Sequence, residues 1–287
     1  MSEHRLLSGR KVEDIFLPSD FSEGSETAFV HALKLALASK STLTVLHADP
    51  DASVDWQDFP GVRETLERWN LIPPGSPRRA VAKLGIDVRK IIAPDKDPVK
   101  ACIKYLEIHN ADLIVLSVRQ REGIMKWLGK SVGEPLARTA KQMTLFIPQG
   151  ITGFVSTEDG SVTLKNILIP VAAKPDPQPA VEAVLRLIES LDLPPGTVTL
   201  LRVSPQDEKL AVHLPHDSSW AWNELVLEGE PAQVILETAE RLAADLIVMT
   251  TDGPDGFLDG LRGTTSERVL SKASCPVGNL PVDSFLG

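Results

Sequence analysis

The chain is predicted to be an α/β protein made of two tandem doubly wound domains, each a mostly parallel five-stranded sheet with helices on both faces. Three observations predict this. Short, near-continuous apolar runs alternate with amphipathic helical stretches, the pattern of a parallel sheet covered on both faces. The order occurs twice: Asp112-Leu-Ile-Val-Leu-Ser117 matches Asp245-Leu-Ile-Val-Met-Thr250, and Ile15-Phe-Leu-Pro-Ser-Asp20 matches Ile167-Leu-Ile-Pro-Val-Ala172. The length of 287 residues suits two ordinary domains. The opening pair is offset by 152 residues and the later pair by 133, so the second copy is 19 residues shorter between them. The expected division is residues 1–150 and 151–287, at the polar, turn-rich stretch 149–160.

The elements follow in order. Residues 12–17 read as a strand and 22–38 as a helix with Ala28, Ala32, Leu35 and Ala36 on one face. Residues 41–47 are a strand. The stretch 51–77, with Trp56, Trp69 and several prolines, reads as a long irregular excursion. Then come a strand at 88–92, a helix at 98–109, a strand at 112–116, a helix at 131–141 and a strand at 143–147. Pro98 and Pro231 sit where a first helical turn tolerates proline. The second copy reads as strand 165–169, helix 177–190, strand 197–203, a short strand near 224–228, helix 231–243, strand 245–249, helix 264–272 and strand 276–281.

Composition excludes several classes. Hydrophobic residues make up 43% and charged residues 24%, enough to bury a core. No apolar run reaches the roughly 18 residues of a membrane helix, and the first residues lead into no secretory h-region. Residues 1–150 carry 21 Lys and Arg against 19 Asp and Glu, and residues 151–287 carry 9 against 20. An acidic chain without a basic stripe is a poor nucleic-acid binder, because phosphate contacts dominate that affinity. Cys102 and Cys275 make no disulfide framework and have no metal-ligand spacing, so a reducing cytoplasm is the expected compartment. Both read as packed small hydrophobes. His213-Leu-Pro-His216 is the only close histidine pair and reads as loop surface.

The order strand, long helix, strand, variable segment, strand, helix, Asp-Leu-Ile-Val, loop, helix, Cys-Pro-Val resembles the universal stress protein family. The residues that carry the resemblance are Pro18-Ser-Asp-Phe-Ser22, Ala244-Asp-Leu-Ile-Val-Met249 with its loop, Ser266-Glu-Arg-Val-Leu270 and Ser274-Cys-Pro-Val277. The resemblance implies a Rossmann-like or flavodoxin-like fold in each copy. It also implies either an ATP-binding or a non-binding member. Nucleotide-binding members resemble a pattern of glycine, two residues, glycine, nine residues, glycine, then Ser or Thr. Glycines let backbone approach phosphate, and the following helix start offers N–H donors.

The second copy reads Thr250-Thr-Asp-Gly253, nine residues, then Gly263-Thr264. Two of the three glycines and the hydroxyl are present, while the aspartate position after the first strand is Ala172. Asp252, Asp255 and Asp259 crowd this loop, which calls for Mg²⁺ if a triphosphate binds. The first copy keeps Asp20 but reads Ser117-Val-Arg-Gln120 and Lys130-Ser131, without the glycines. Arg119, Arg121, Lys126 and Lys130 make its loop basic. The resemblance therefore implies an ATP site formed by Val203, Met249, Thr250, Gly253, Gly263, Thr264 and Thr265, with Pro18, Asp20 and Ser131 at the matching places of the first copy. The competing readings are structural. Asp20 caps the helix that starts near Ser22, and Thr264-Thr-Ser-Glu267 and Ser131-Val-Gly-Glu134 are capping boxes. Trp56, Trp69, Trp220 and Trp222, in the segments after each second strand, line a groove or, more simply, pack against the sheet.

The expected function is a non-catalytic stress-response regulator or protector sensing adenine nucleotide. The alternative is an interaction module that binds protein partners and no nucleotide. An ATP-using ligase lacks its Ser-Gly-Gly phosphate loop here, and no catalytic residue is assigned; slow ATP hydrolysis stays open. No nucleic acid or membrane partner is expected. Pairing of 143–147 with 275–280 within the chain would give an intramolecular pseudo-dimer of the two domains, and assembly into a homodimer stays open.

Overall fold

The computed structural model describes residues 12–51, 53–121, 124–126, 142–203, 212–215, 218–251 and 265–282. The first half holds β1 (Asp14–Pro18), α1 (Glu23–Ser39), β2 (Thr42–Ala48), α2 (Val62–Arg68), α3 (Arg79–Ala82), β3 (Asp87–Ala93), α4 (Pro98–Ile108), β4 (Leu113–Arg121), β5 (Ile124–Lys126) and β6 (Met143–Pro148). The second holds β7 (Asn166–Val171), α5 (Gln178–Leu191), β8 (Thr197–Val203), β9 (Ala221–Leu227), α6 (Pro231–Arg241), β10 (Leu246–Thr251), α7 (Thr265–Leu270) and β11 (Val277–Pro281). The helix expected at 131–141 lies outside the described residues.

One sheet runs through both halves in the order β3-β2-β1-β4-β6-β11-β10-β7-β8-β9, with β5 attached to β4. Five strands on each side of the middle are parallel to one another, each side doubly wound, and the second order mirrors the first. The halves meet through β6 and β11, which pair antiparallel with Leu145 opposite Gly278. This reversal has a geometric consequence. The carboxyl ends of the first half's strands lie at one end of the sheet, and those of the second half at the other.

Both faces are covered. On one face, α1 and α5 pack over Ile15, Leu17, Val115, Ile147, Ile169 and Val248 in a core continuous across both halves. On the other, α4, α6 and α7 pack over Phe16, Ile114, Phe146, Leu168, Ile247 and Val277. Successive strand residues thus serve opposite cores, which is why the inner strands read as unbroken apolar runs. The edge strands β3 and β9 are wetter, with exposed and half-buried residues only. Among the described residues, no helix is long and apolar enough to cross a membrane.

Local chemistry fixes the helix starts. Asp97 accepts from the N–H of Val99 at 3.0 Å before Pro98, and Glu230 accepts from the N–H of Gln233 at 3.0 Å before Pro231. The Ala-Asp that precedes each Leu-Ile-Val strand is a clamp. Asp112 Oδ2 accepts from the N–H groups of Glu13 and Asp14 at 2.8 and 3.0 Å. Asp245 Oδ2 accepts from Lys165 and Asn166, both at 2.8 Å. Each carboxylate ties the entry of one central strand to its neighbour, so the repeated Asp belongs to the fold.

Two expectations are corrected. The excursion at 51–77 contains a helix, α2, which buries Val62, Thr65 and Leu66; flanking prolines hide a seven-residue periodicity. The stretch 149–160 is more than a polar connection. Phe154 and Val155 are buried in the α1-side core. Their N–H groups donate to His31 Nε2 at 3.0 and 3.2 Å, and His31 Nδ1 donates to the carbonyl of Thr27 at 2.7 Å. Gly153, at φ 66°, passes so close that a Cβ would sit 2.4 Å from the His31 ring. Burial holds His31 neutral, lowering its pKa to about 4. Trp69 completes the anchor by donating Nε1–H to the carbonyl of Thr157 at 3.2 Å.

Candidate functional site

Doubly wound sheets present ligands at the carboxyl ends of their strands. The first half's end is built by the chain leaving β1. Asp20 Oδ1 accepts from the N–H of Ser22 at 3.0 Å and from the hydroxyls of Ser22 and Ser25. Burial works to raise the Asp20 carboxyl, but the hydrogen bonds from Ser22 and Ser25 outweigh it and the net shift is downward. The carboxylate is thus engaged in ordering the first turn of α1. Phe21, at φ 60°, is an unusual left-handed aromatic residue. That conformation lays its ring on His47, 4.1 Å between centroids, and edge-on to Phe59 at 5.0 Å. Trp56 stacks on Phe59 at 5.9 Å and stays 54% exposed. Aromatic side chains therefore cover the ends of β1 and β2.

The neighbouring strand ends are closed by amides. Arg119 Nε donates to Gln149 Oε1 at 2.8 Å, and Gln149 Nε2 donates to Ser117 Oγ at 3.2 Å. The Gln149 side chain lies against Gly24, where a Cβ would come within 2.6 Å of it. A polar cleft of about 770 Å³ remains beside these groups, bordered by Ser22, Thr27, Arg119 and Ser156. Gln120 reaches the second half, donating to the carbonyls of Leu270 and Ala273 at 3.0 and 2.7 Å. It takes up carbonyls at the end of α7, a bond across the halves that no spacing in the sequence signals.

The second half's end is simpler. β7 closes on Val171 and the exposed Ala172, with no carboxylate in the place of Asp20. β8 and β10 flank β7, which brings Val203 to one side and Met249 and Thr250 to the other. Thr250 pairs with Leu280 and Thr251 with Pro281 across the sheet. Thr251 is 7% exposed, and its hydroxyl has no hydrogen-bond partner among the described residues. Thr265 begins α7. Gly253, Gly263 and Thr264 lie outside the described residues, as does Ser131. His213 lies on the α5 side, where its N–H donates to Gln178 Oε1 at 2.9 Å.

The sheet reversal separates the two candidate sets. Pro18 and Asp20 belong to one end, and Val203, Met249, Thr250 and Thr265 to the other. β1 and β7 are five strand steps apart, roughly 24 Å. One composite site is excluded by this geometry. The tryptophans also separate: Trp69 and Trp220 are buried at 5% and 3%, and Trp222 lies within β9, so they do not form one groove. Cys102 and Cys275 are buried free thiols, with burial pushing Cys275 up to about 12. No group of three or more His, Cys, Asp or Glu able to hold a metal is present among the described residues.

Fold and strand-end geometry define a doubled, doubly wound α/β protein whose two sets of strand carboxyl ends lie at opposite ends of the sheet. A sequence profile of the Universal stress protein family matches residues 11–148 and 221–278, and the chain belongs to that family. A universal stress protein from Methanocaldococcus jannaschii is 52% identical over 52 residues, covering 18% of this chain and 31% of that protein. A universal stress protein E homolog from Haemophilus influenzae is 44% identical over 50 residues, covering 17% of this chain and 16% of that protein. The matches thus span less than a third of these relatives. A crystal structure of a universal stress protein from Archaeoglobus fulgidus superposes with a TM-score of 0.62 at 18% identity, covering 95% of this chain and 99% of that one. A functionally unknown protein from Pseudomonas aeruginosa superposes at 0.58 and 14% identity, covering 96% and 95%. The profile leaves 149–220 unmatched, yet β7, α5 and β8 stand there in the mirrored places of β1, α1 and β2.

Proposed function

We propose that the chain is a non-catalytic regulatory or protective protein of the stress response that binds an adenine nucleotide, ATP with Mg²⁺, in its second copy. The two copies are residues 1–150 and 151–287, and the first has turned its strand ends to structural use. One contrast carries this reading. Asp20 Oδ1 already accepts from Ser22 and Ser25, whereas the buried hydroxyl of Thr251 has no partner among the described residues and stands two positions before Gly253. A buried polar group without a partner is costly, and a bound ligand is one way to satisfy it.

Gly253 and Gly263 would let phosphate oxygens approach backbone N–H groups. Thr250, Thr251, Thr264 and Thr265 would donate hydroxyls, with Val203 and Met249 as apolar support. Asp252, Asp255 and Asp259 would supply oxygen ligands to Mg²⁺, which neutralises their charge toward the phosphates. No residue is assigned a chemical step. The buried free thiols suit a reducing, cytoplasmic setting. Release of bound small molecules by denaturing fresh protein, followed by chromatography, tests the reading. ATP near one per chain, absent from Gly263→Val, is expected; protein free of nucleotide with no calorimetric heat at millimolar ATP–Mg²⁺ overturns it.

A second reading, an interaction module without nucleotide, draws on the first copy. There the exposed Trp56 ends an aromatic stack that covers the strand ends. Capture of partner proteins lost in Trp56→Ala, and indifferent to ATP, would favour it.

A further inference from the structure

We propose that the seam between the two halves is a second binding site, which takes a single hydrocarbon chain with a small polar head. A cavity of about 440 Å³ lies on the α1 and α5 face of the sheet, where β6 meets β11. Leu145 and Gly278 form its floor, with Leu35 of α1 and Leu187 of α5 beside them. The space is open to solvent on one side and walled by apolar side chains, so a hydrocarbon chain laid in it would leave water while a polar head stayed at the mouth. This volume falls within the range of small-molecule pockets.

The apolar part of the lining is aliphatic apart from Met143 and Phe154, which suits a flexible alkyl chain better than a flat ring. Ser39, Lys40, Arg186, Glu189 and Ser190 bring polar atoms and both signs of charge to it. Ser39 already donates to the Leu35 carbonyl, Lys40 to that of Leu84, and Arg186 pairs with Glu182, so a hydroxyl or carboxylate head would join these groups at the mouth while the aliphatic wall selects the chain.

The two halves differ at the centre of the seam. Leu145 faces Gly278, so one half supplies an isobutyl side chain and the other supplies none. A Cβ at Gly278 would meet no atom closer than 3.7 Å. Glycine weakens a strand interior, and nothing at this position requires it sterically. Its effect is to leave the cavity open. The site stands apart from the strand ends, so it does not depend on nucleotide binding.

The test is a titration of the full chain with N-phenyl-1-naphthylamine, a dye that brightens in apolar surroundings, followed by displacement with decanoic acid or dodecanol. Saturable binding of one dye per chain, displaced by either amphiphile, is expected. Gly278→Leu should weaken it at least tenfold while the Tm stays level or rises, because the new side chain fills existing space. Ala183→Leu, from the partly exposed face of α5, is the second variant and blocks the same space should Gly278→Leu lower the Tm. Non-saturating uptake, or equal affinity in a folded variant, overturns the proposal.

Discussion

The two halves share a backbone plan and differ in what their strand ends do. Both have the same strand order, and both clamp a central strand with an aspartate that accepts two main-chain N–H groups. At the carboxyl ends of the strands they part. In the first half, Asp20 accepts from Ser22 and Ser25 at the start of α1, Phe21 stacks on His47, and Arg119 donates to Gln149. In the second, the carboxylate position is Ala172, and Thr251, just before a glycine-containing stretch of sequence, has no partner among the described residues. The halves agree in what the sheet needs and differ at the ends that the sheet does not need.

The first way to break this comparison is at the seam. Phe146 faces Val277 across β6 and β11 and is 2% exposed. Phe146→Ala should cost about 3–5 kcal/mol in denaturant unfolding, because the side chain leaves a cavity shared by both halves. Because the cores are continuous, the transition should shift as one; separate transitions for the halves would contradict a shared core.

Acid provides the next test, and it is directed at the first half. His31 titrates near 6.5 when unfolded and at about 4 in the fold. Between those values the unfolded chain binds the proton and the native one does not, so stability falls as pH drops from about 6.5 to about 4. The full effect is on the order of 3 kcal/mol. His31→Gln should flatten that slope in unfolding curves taken across this pH window, at the expense of some stability at neutral pH.

A smaller effect tests the shared plan itself. Asp112→Ala and Asp245→Ala should each cost about 1–3 kcal/mol, the penalty of two strand N–H groups losing a charged acceptor. Similar losses by chemical denaturation would sharpen the equivalence of the clamps. A neutral result in one half would break it.

The smallest expected change is a gain. Asn279 faces Thr144 in the seam, is 1% exposed, and neither its amide oxygen nor its nitrogen has a partner among the described residues. Asn279→Leu should raise stability by about 1–2 kcal/mol, since an apolar isostere removes an unsatisfied buried amide. Thermal unfolding of the variant checks the sign.

The sequence made the strand and helix order legible because the inner strands serve two cores and so carry unbroken apolar runs. Pro98 and Pro231 marked helix starts for a reason visible in one dimension. The short helix α2 was hidden by prolines on both sides. The anchoring of Phe154 and Val155 was hidden because His31 lies more than a hundred residues away and reads like any other histidine in an amphipathic helix. Asp20 was legible as a cap or a ligand group, and its bonds to both serines at the start of α1 are the part that only the fold displays. The repeat suggested equivalent sites; the antiparallel seam, a fact of pairing rather than of composition, places them at opposite ends.

The central claim is that ligand binding stayed with the second copy while the first became structural. Calorimetry with ATP–Mg²⁺ on stripped protein, comparing Asp20→Ala with Gly263→Val, tests it most directly. The account predicts one site per chain, unchanged affinity in Asp20→Ala and loss of binding in Gly263→Val. Binding that disappears in Asp20→Ala and survives in Gly263→Val would contradict it.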